Sequence, residues 1–467
     1  MKHLFWLPLL VSVSVAAQQQ PPNAVPEAPA PASQLAQAAN QQLSITGMTS
    51  GAPAPSDATP VTRSEAEQQA LKNNPRITAS ELLARAAGQV TREMRSNELP
   101  QIGGNLTAVK AEDSSRIGSG ALTSSRLYTH AGAGGTLSQL LTDFGHTHNL
   151  VANAHLLEKA QQQTALATQQ DILLATDQAF YRLLNAQSLL QVAEATVKVR
   201  SDTKSLTQAL TQSALKSDLD LNIAAADLSQ AQLLELDARN AVASASASLA
   251  ALLNVTPPVS FYAVGADTEI EAPPVQKLAQ QVKEAQAQRP DLQSLQLQTQ
   301  AEHKLALAQE EQHLPTIAAM ATGGVTPVRP DGAFAENWYA AAGVNLSVPF
   351  FTGFRIRAQS EEARLRERAT AAQVADLSNT IARDVQVAAL AAQTAYQRIA
   401  VTRQFQLQAD QALKLAQTRY KLGLSSIVEL SQAQLEKTQA DVAIVNARYD
   451  YLLARRTLDY AQGTIAP

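Results

Sequence analysis

No cysteine occurs in the chain. Its absence excludes a disulfide scaffold, thiol catalysis, a cysteine-rich metal cluster and an N-terminal lipidated cysteine. Aromatic residues are scarce, at 4% of 467. With abundant Ala, Gln and Leu, that scarcity describes long helices packed closely on one another rather than a thick mixed core. Neither sign of charge dominates, the formal net charge being -4; without a basic excess or stripe, no nucleic-acid partner is expected. No segment after the first residues approaches the roughly 20 consecutive apolar residues of a membrane-spanning helix. If the chain crosses a membrane, it must therefore do so as strands.

What the chain does contain is a copy of itself. Residues 137 to 254 align with 346 to 463 at a constant offset of 209 and without a gap, so that Leu137/Leu346, Ser138/Ser347, Ile172/Ile381, Gln208/Gln417, Leu221/Leu430, Arg239/Arg448 and Leu249/Leu458 coincide. Upstream the offset is 215, matching Pro75/Pro290, Ala86/Ala301, Leu99/Leu314, Pro100/Pro315 and Ile102/Ile317. A unit of about 200 residues is too long for a small solenoid repeat, which favours one body of two equivalent halves. The first half is placed at 61 to 254, a linker at 255 to 275 and the second half at 276 to 467.

Ahead of the repeats, Lys2 and His3 precede an apolar run from 4 to 15, and Val15, Ala16 and Ala17 supply the small residues of a cleavage site. Residues 1 to 17 thus form an expected export signal. Residues 18 to 60 are rich in Pro, Ala and Gln with almost no large apolar side chain, the composition of a flexible tether.

Proline is missing from 101 to 256 and again from 350 to 466. Each stretch is rich in strong helix formers. In the second, Val428, Leu435, Val442 and Tyr449 recur every seven residues, with Thr438, Val445 and Leu452 as a parallel row, which is a coiled-coil seam. Each run breaks once, around 214 to 217 and 423 to 426. Gly423 suits the left-handed residue that ends a helix, and Ser425 or Ser426 suits the cap of the next. Two helical hairpins follow, with helices at about 145 to 212 and 217 to 254, then about 354 to 422 and 426 to 463. The leading arm would reach on the order of 100 Å.

The strands precede these helices. Between 337 and 351, Trp338, Ala340, Ala342, Val344, Leu346, Val348 and Phe350 alternate with Tyr339, Ala341, Gly343, Asn345 and Ser347. One face is apolar and the other small or polar, as a membrane barrel requires. In the first half, Leu127, Ala131, Ala133 and Leu137 oppose Tyr128, His130, Thr136 and Ser138. Strands are expected at about 99 to 112 and 126 to 141, and at about 314 to 326 and 337 to 350. Four strands cannot close a wet barrel, and open edges are not tolerated in lipid, so other copies must complete it.

These features resemble the outer-membrane efflux protein family, the TolC-like exit ducts of tripartite pumps and type I secretion systems. The resemblance is carried by NNPRI at 73 to 77 and RPDL at 289 to 292, ELPQI at 98 to 102 and HLPTI at 313 to 317, LLTDFG at 140 to 145, PFFTGFR at 349 to 355 and RYKLGLSSIVEL at 419 to 430. It implies a mainly α fold with a membrane β-barrel: a homotrimer whose twelve strands form one outer-membrane barrel, continuous with a periplasmic coiled-coil tunnel of twelve helices. It further implies a passive exit duct without a cofactor, served by a periplasmic adaptor protein and a proton-driven or ATP-driven inner-membrane pump. A periplasmic coiled-coil scaffold without a pore is the alternative, and it leaves the alternating strands unexplained.

By the same resemblance the hairpin tips form the gate and the adaptor contact, at Ala214, Leu215 and Ser217 in the first hairpin and Tyr420, Gly423, Leu424, Ser425 and Ser426 in the second. Repeat one departs, with Leu210, Thr211 and Ala214 where the other has Arg419, Tyr420 and Gly423. Asp220 and Glu429 are equivalents at the offset of 209. They serve either as a gate ring favouring cations or as ordinary acids offsetting a helix dipole. Trp338, Tyr339, Phe350 and Phe351 fit an aromatic girdle at the lipid interface, with packing at the strand-to-helix junction as the other reading. His146 and His148 stand two apart and do not share a helix face, so with His155 they are not taken as a metal site. Gly134, Gly135, Gly323 and Gly324 lack a phosphate-loop context and are taken as places where strands bend. No nucleophile, base and orienting group recur together, so no enzyme is expected.

Overall fold

The computed structural model describes residues 58–110, 116–117, 125–126, 130–265, 270–273, 277–325 and 338–466, all within a unit that spans Ser50–Pro467. The export signal, residues 18 to 57 of the tether, Leu127 and Tyr128 lie outside the described residues.

The described chain is mainly helical, and the helices of its two halves repeat with identical lengths. Helices α1 (Arg63–Asn73) and α2 (Pro75–Ser96) return as α5 (Leu278–Gln288) and α6 (Pro290–Glu311). The long helices α3 (His146–Gln212) and α4 (Asp218–Leu252) return as α7 (Arg355–Lys421) and α8 (Ile427–Ala461), with 67 residues in each leading arm and 35 in each returning arm. The short helices before each strand pair were not among the expected elements. Their ends are locally encoded nonetheless. Thr62 caps α1 in a reciprocal box with Glu65, the Thr62 N–H donating to the carboxylate at 2.8 Å. Asn74 then caps α2, accepting from the Arg76 N–H at 3.0 Å, and Pro75 occupies the first helical position, where its missing N–H costs nothing.

Residues at the end of the expected tether and within the expected linker form strands. Strand β1 (Ala58–Val61) pairs in parallel with β6 (Ser260–Ala263), and Val61, Phe261 and Ala263 are buried in a core with Ile172, Phe180, Leu183, Leu249, Tyr449 and Leu452. Two four-residue strands joined across some 200 positions leave no periodic signal, which is why composition points to disorder there. The heptad seam of α8 divides: Tyr449 and Leu452 are buried in this core, whereas Val428 and Leu435 are exposed.

The remaining strands form an antiparallel sheet in the order β2-β5-β7-β8, made of β2 (Gln101–Val109), β5 (His130–Thr142), β7 (Thr316–Val325) and β8 (Trp338–Ser347). A two-residue ladder of β3 (Arg116–Ile117) with β4 (Ser125–Arg126) lies between β2 and β5 in sequence. The register is the same in both halves, since Gln101 faces Ser138 as Thr316 faces Ser347, and Ala108 faces Ala131 as Gly323 faces Ala340.

Each strand turns into its long helix through two successive left-handed residues, Phe144 and Gly145 (φ 56° and 116°) or Gly353 and Phe354 (φ 61° and 64°). The backbone requirement is identical, yet the glycine and phenylalanine have exchanged places. In the first half the order is constrained by Glu311, whose carboxylate lies 2.7 Å from where a side chain on Gly145 would begin. Nothing lies within 4 Å of that point on Gly353.

Candidate functional site

The residues singled out in the sequence fall in two places, the hairpin tips and the faces of the sheet.

At the tips the two repeats close in the same way. Helix α3 ends with Ala214 left-handed at φ 58°, the Ala214 N–H donating to Thr211 O and the Leu215 N–H to Leu210 O, both at 2.9 Å. Helix α7 ends with Gly423 at φ 74°, and its N–H and that of Leu424 donate to Tyr420 O and Arg419 O at 3.0 and 2.9 Å. Both are Schellman closures. Replacing glycine by alanine in the first repeat has therefore not changed the turn, although a Cβ in the left-handed region costs roughly 1 kcal/mol. Ser217 and Ser426 cap the returning helices, accepting from the Asp220 and Glu429 N–H groups at 3.2 and 3.3 Å.

The two acids are used differently. The Asp220 carboxylate accepts from the Ser217 N–H at 3.2 Å and completes a capping box. Glu429 pairs with Arg419 across its own hairpin at 3.1 Å and is 44% exposed. Leu210 stands at the equivalent of Arg419, so Asp220 has no such partner to reach for.

Tyr420 departs from its expected place on the adaptor-facing surface, for its side chain is 0% exposed. Its hydroxyl meets Thr207 Oγ1 of the first hairpin at 3.0 Å, and Lys216 Nζ sits 4.7 Å from its ring centre while donating to Ser425 O at 3.2 Å. Burial pushes the phenol above its ordinary pKa, with the Asp220 charge adding to the effect and the Thr207 hydrogen bond opposing it. Tyr420 thus fastens one hairpin to the other. Leu215 and Leu424, by contrast, are exposed at the tips.

A second fastening was invisible in the sequence. The Arg200 guanidinium of α3 donates to Asp227 of α4 at 2.8 Å and to Gln434 of α8 at 2.5 Å. Ser431 donates to the same Asp227 oxygen at 2.6 Å, and Gln434 to Thr203 at 2.8 Å. Burial lowers the Arg200 pKa, and Asp227 opposes that shift. Arg200 stands among Lys198, Asp202 and Lys204, so in the sequence it reads as part of a solvated charged face.

In the sheet, opposed residues share a face. The register therefore gathers Ile102, Leu106, Ala133, Leu137, Ala319, Ala321, Val325, Trp338, Ala342, Val344 and Leu346 on one side. Gln139 is the polar exception, and its amide donates to Glu98 O and Leu140 O at 2.9 and 2.7 Å. The other side carries Asn105, Thr107, Thr136, Ser138, Thr316, Thr322, Asn345 and Ser347 with several glycines. Trp338 lies on the apolar side. Tyr339 lies on the opposite one, with its hydroxyl 2.5 and 2.8 Å from where side chains on its in-register neighbours Gly134 and Gly324 would begin. Those glycines make room for a tyrosine crossing two strands, as aromatic cover over a bare backbone. Phe350 is 94% exposed, and Phe351 packs edge-on against Phe354 at 5.7 Å. His146 Nδ1 is 2.7 Å from Ala308 O, and among the described residues no cluster suited to a metal ion occurs.

The sequence profile of the family described as "Outer membrane efflux protein" matches residues 66–255 and 281–464, that is, both repeats. The chain belongs to the outer membrane efflux protein family. Like other members it is an outer-membrane efflux channel component and not an enzyme. It is 23% identical over 416 residues to outer membrane protein TolC of Escherichia coli K12, covering 85% of this chain and 81% of the relative. Against TolC of Vibrio cholerae the identity is 25% over 426 residues, covering 86% and 90%. The CmeC outer membrane channel of Campylobacter jejuni has the same fold, with a TM-score of 0.76, 18% identity and coverage of 86% and 85%.

If the two closures differ only in the cost of a Cβ, Ala214→Gly should stabilise the first hairpin by up to ~1 kcal/mol and Gly423→Val should destabilise the second by more. Thermal unfolding in detergent, read by helix circular dichroism, checks both.

Proposed function

We propose that three copies of this chain form a passive exit duct, with twelve strands closing one barrel in the outer membrane and twelve helices forming a periplasmic tunnel. The duct receives substrates from an inner-membrane pump, proton-driven or ATP-driven, through a periplasmic adaptor protein. The observation that carries the reading is the register. Four strands with one almost wholly apolar face and two unpaired edges, β2 and β8, suit lipid only when other copies supply the missing pairing. The number three comes from family likeness.

In this reading the tips form the periplasmic end. The links Thr207 to Tyr420, Lys216 to Ser425, Arg200 to Gln434 and Asp227 to Ser431 hold the two hairpins of each chain together, while exposed Leu215 and Leu424 offer apolar surface to an adaptor. Asp220 and Glu429, repeated in three copies, would line the constriction with carboxylates. Trp338, Phe350 and Phe351 would sit at the lipid interfaces, and Tyr339 would face the lumen.

Arg at Val344 should cost about 2 to 4 kcal/mol near the bilayer midplane, whereas Arg at Asn345 should be tolerated. Yields of heat-modifiable trimers in outer-membrane fractions compare the two; equal loss from both substitutions overturns the facing. Asp220→Asn combined with Glu429→Gln should leave trimers intact and reduce cation selectivity in planar bilayers. Unchanged selectivity would confine both acids to their roles at helix starts.

A further inference from the structure

Far from the tips along α3, a second polar cluster joins α1, α3 and α8. Glu67 of α1 and Asp177 of α3 are both 0% exposed. Two guanidinium groups reach them. Arg63 Nη1 lies 2.5 Å from Glu67 Oε1. Arg456 of α8 places Nη2 3.1 Å from the same oxygen and donates through Nε to Asp177 Oδ2. Two carboxylate oxygens are left over, Glu67 Oε2 and Asp177 Oδ1, buried and without a hydrogen-bond donor. Arg63 is 3.9 Å from Asp177 Oδ1, too far for a hydrogen bond.

Two ionised carboxylates with orphaned oxygens in a dry site are costly, and one proton removes both deficits at once: the protonated acid donates to the carboxylate that faces it. We propose that Glu67 and Asp177 share a single proton, making this cluster a proton-binding site that latches α1 onto α3 and α8. The proton comes from solvent and converts one carboxylate to a carboxylic acid. With two guanidinium groups already in place, a metal cation is electrostatically disfavoured there, whereas the proton is held between two negative groups.

The other charged groups around the pair fit this assignment. Arg456 also contacts Asp459 at 3.5 Å, and Asp459 pairs with Arg455 at 3.6 Å. The Arg456 Nη2 also donates to Ala466 O at 3.3 Å, tying in the end of the described chain. Tyr181, one helical turn beyond Asp177, stays a neutral phenol, its pKa pushed up chiefly by burial. The Glu67 carboxyl is pushed up to about 7, first by burial and then by the neighbouring Asp177 carboxylate, with Arg63 and Arg456 pulling the other way.

A carboxyl whose pKa rises on folding stabilises the fold fully below its unfolded value and loses that contribution as pH climbs through its folded value. The latch is therefore closed in mild acid and weakened as pH rises through about 7. It is independent of the duct.

The full chain in detergent provides the test. Its thermal midpoint should fall between about pH 5 and about pH 8 while amide exchange in 63–73 quickens. Glu67→Gln retains the shape of the neutral acid and a donor toward Asp177, so both readouts should become nearly flat over that range; a merely structural role would lower the midpoint equally at every pH. Infrared difference spectra of the unaltered protein should show a protonated-carboxyl stretch at about pH 6 that disappears by about pH 8, where ordinary carboxylates are already ionised at both. An unchanged pH slope in Glu67→Gln, or absence of that band in the unaltered protein, overturns the shared proton. Should the variant not fold, the infrared measurement decides alone.

Discussion

A strand in lipid must give every backbone N–H and C=O to another strand, because the hydrocarbon offers no water to take them. That obligation bears on the whole molecule. The sheet has one almost wholly apolar face and two edges, and internal pairing satisfies neither the outer side of β2 nor that of β8. The internal repeat offers the solution. Because β2 pairs with β5 as β7 pairs with β8, the junction of β5 with β7 inside the chain is a template for joining β8 of one copy to β2 of the next. Each strand pair feeds a helix of 67 residues, so in the proposed trimer a closed ring of strands would set the long helices side by side. Apolar residues such as Val428 and Leu435, exposed on the single chain, are available for neighbouring helices.

Holding two hairpins in one orientation falls to buried polar contacts. Apolar ridges allow helices to slide, whereas Tyr420 on Thr207, or Arg200 between Asp227 and Gln434, fixes a register because a displaced partner would leave a buried group unsatisfied. The turns, for their part, store cost: Ala214, Phe144 and Phe354 all hold left-handed backbone conformations that favour glycine.

Much of this was legible in the sequence, for physical reasons that can be named. The mainly helical architecture follows from proline-free stretches of strong helix formers, and the turn at Gly423 from a glycine followed by a serine cap. The sheet faces follow from strict alternation in β8, and the weaker pattern of β5 is recovered only through its offset from β8. What was hidden depends on partners distant in sequence. The parallel pairing of β1 with β6, the Arg200 cluster and the Glu67–Asp177 pair each join residues with no local periodicity between them. Tyr420 looked like a surface residue because it belongs to the tip, but it lies on the inner side of the last helical turn and meets Thr207. Tyr339 was grouped with Trp338 by proximity, although neighbouring residues of a strand point to opposite faces.

The claim that β8 of one copy continues into β2 of the next has a specific register. Thr136 faces Thr322 inside the chain; carried through the offsets of 209 and 215, that pair becomes Asn345 of one copy and Thr107 of the next. The chain has no native cysteine to interfere. Asn345→Cys combined with Thr107→Cys, treated with a short thiol cross-linker and run on denaturing gels, should give covalent trimers, and either substitution alone should give only monomers. Double-variant chains that remain monomeric on those gels, while unsubstituted neighbours assemble normally, would contradict the shared barrel in this register.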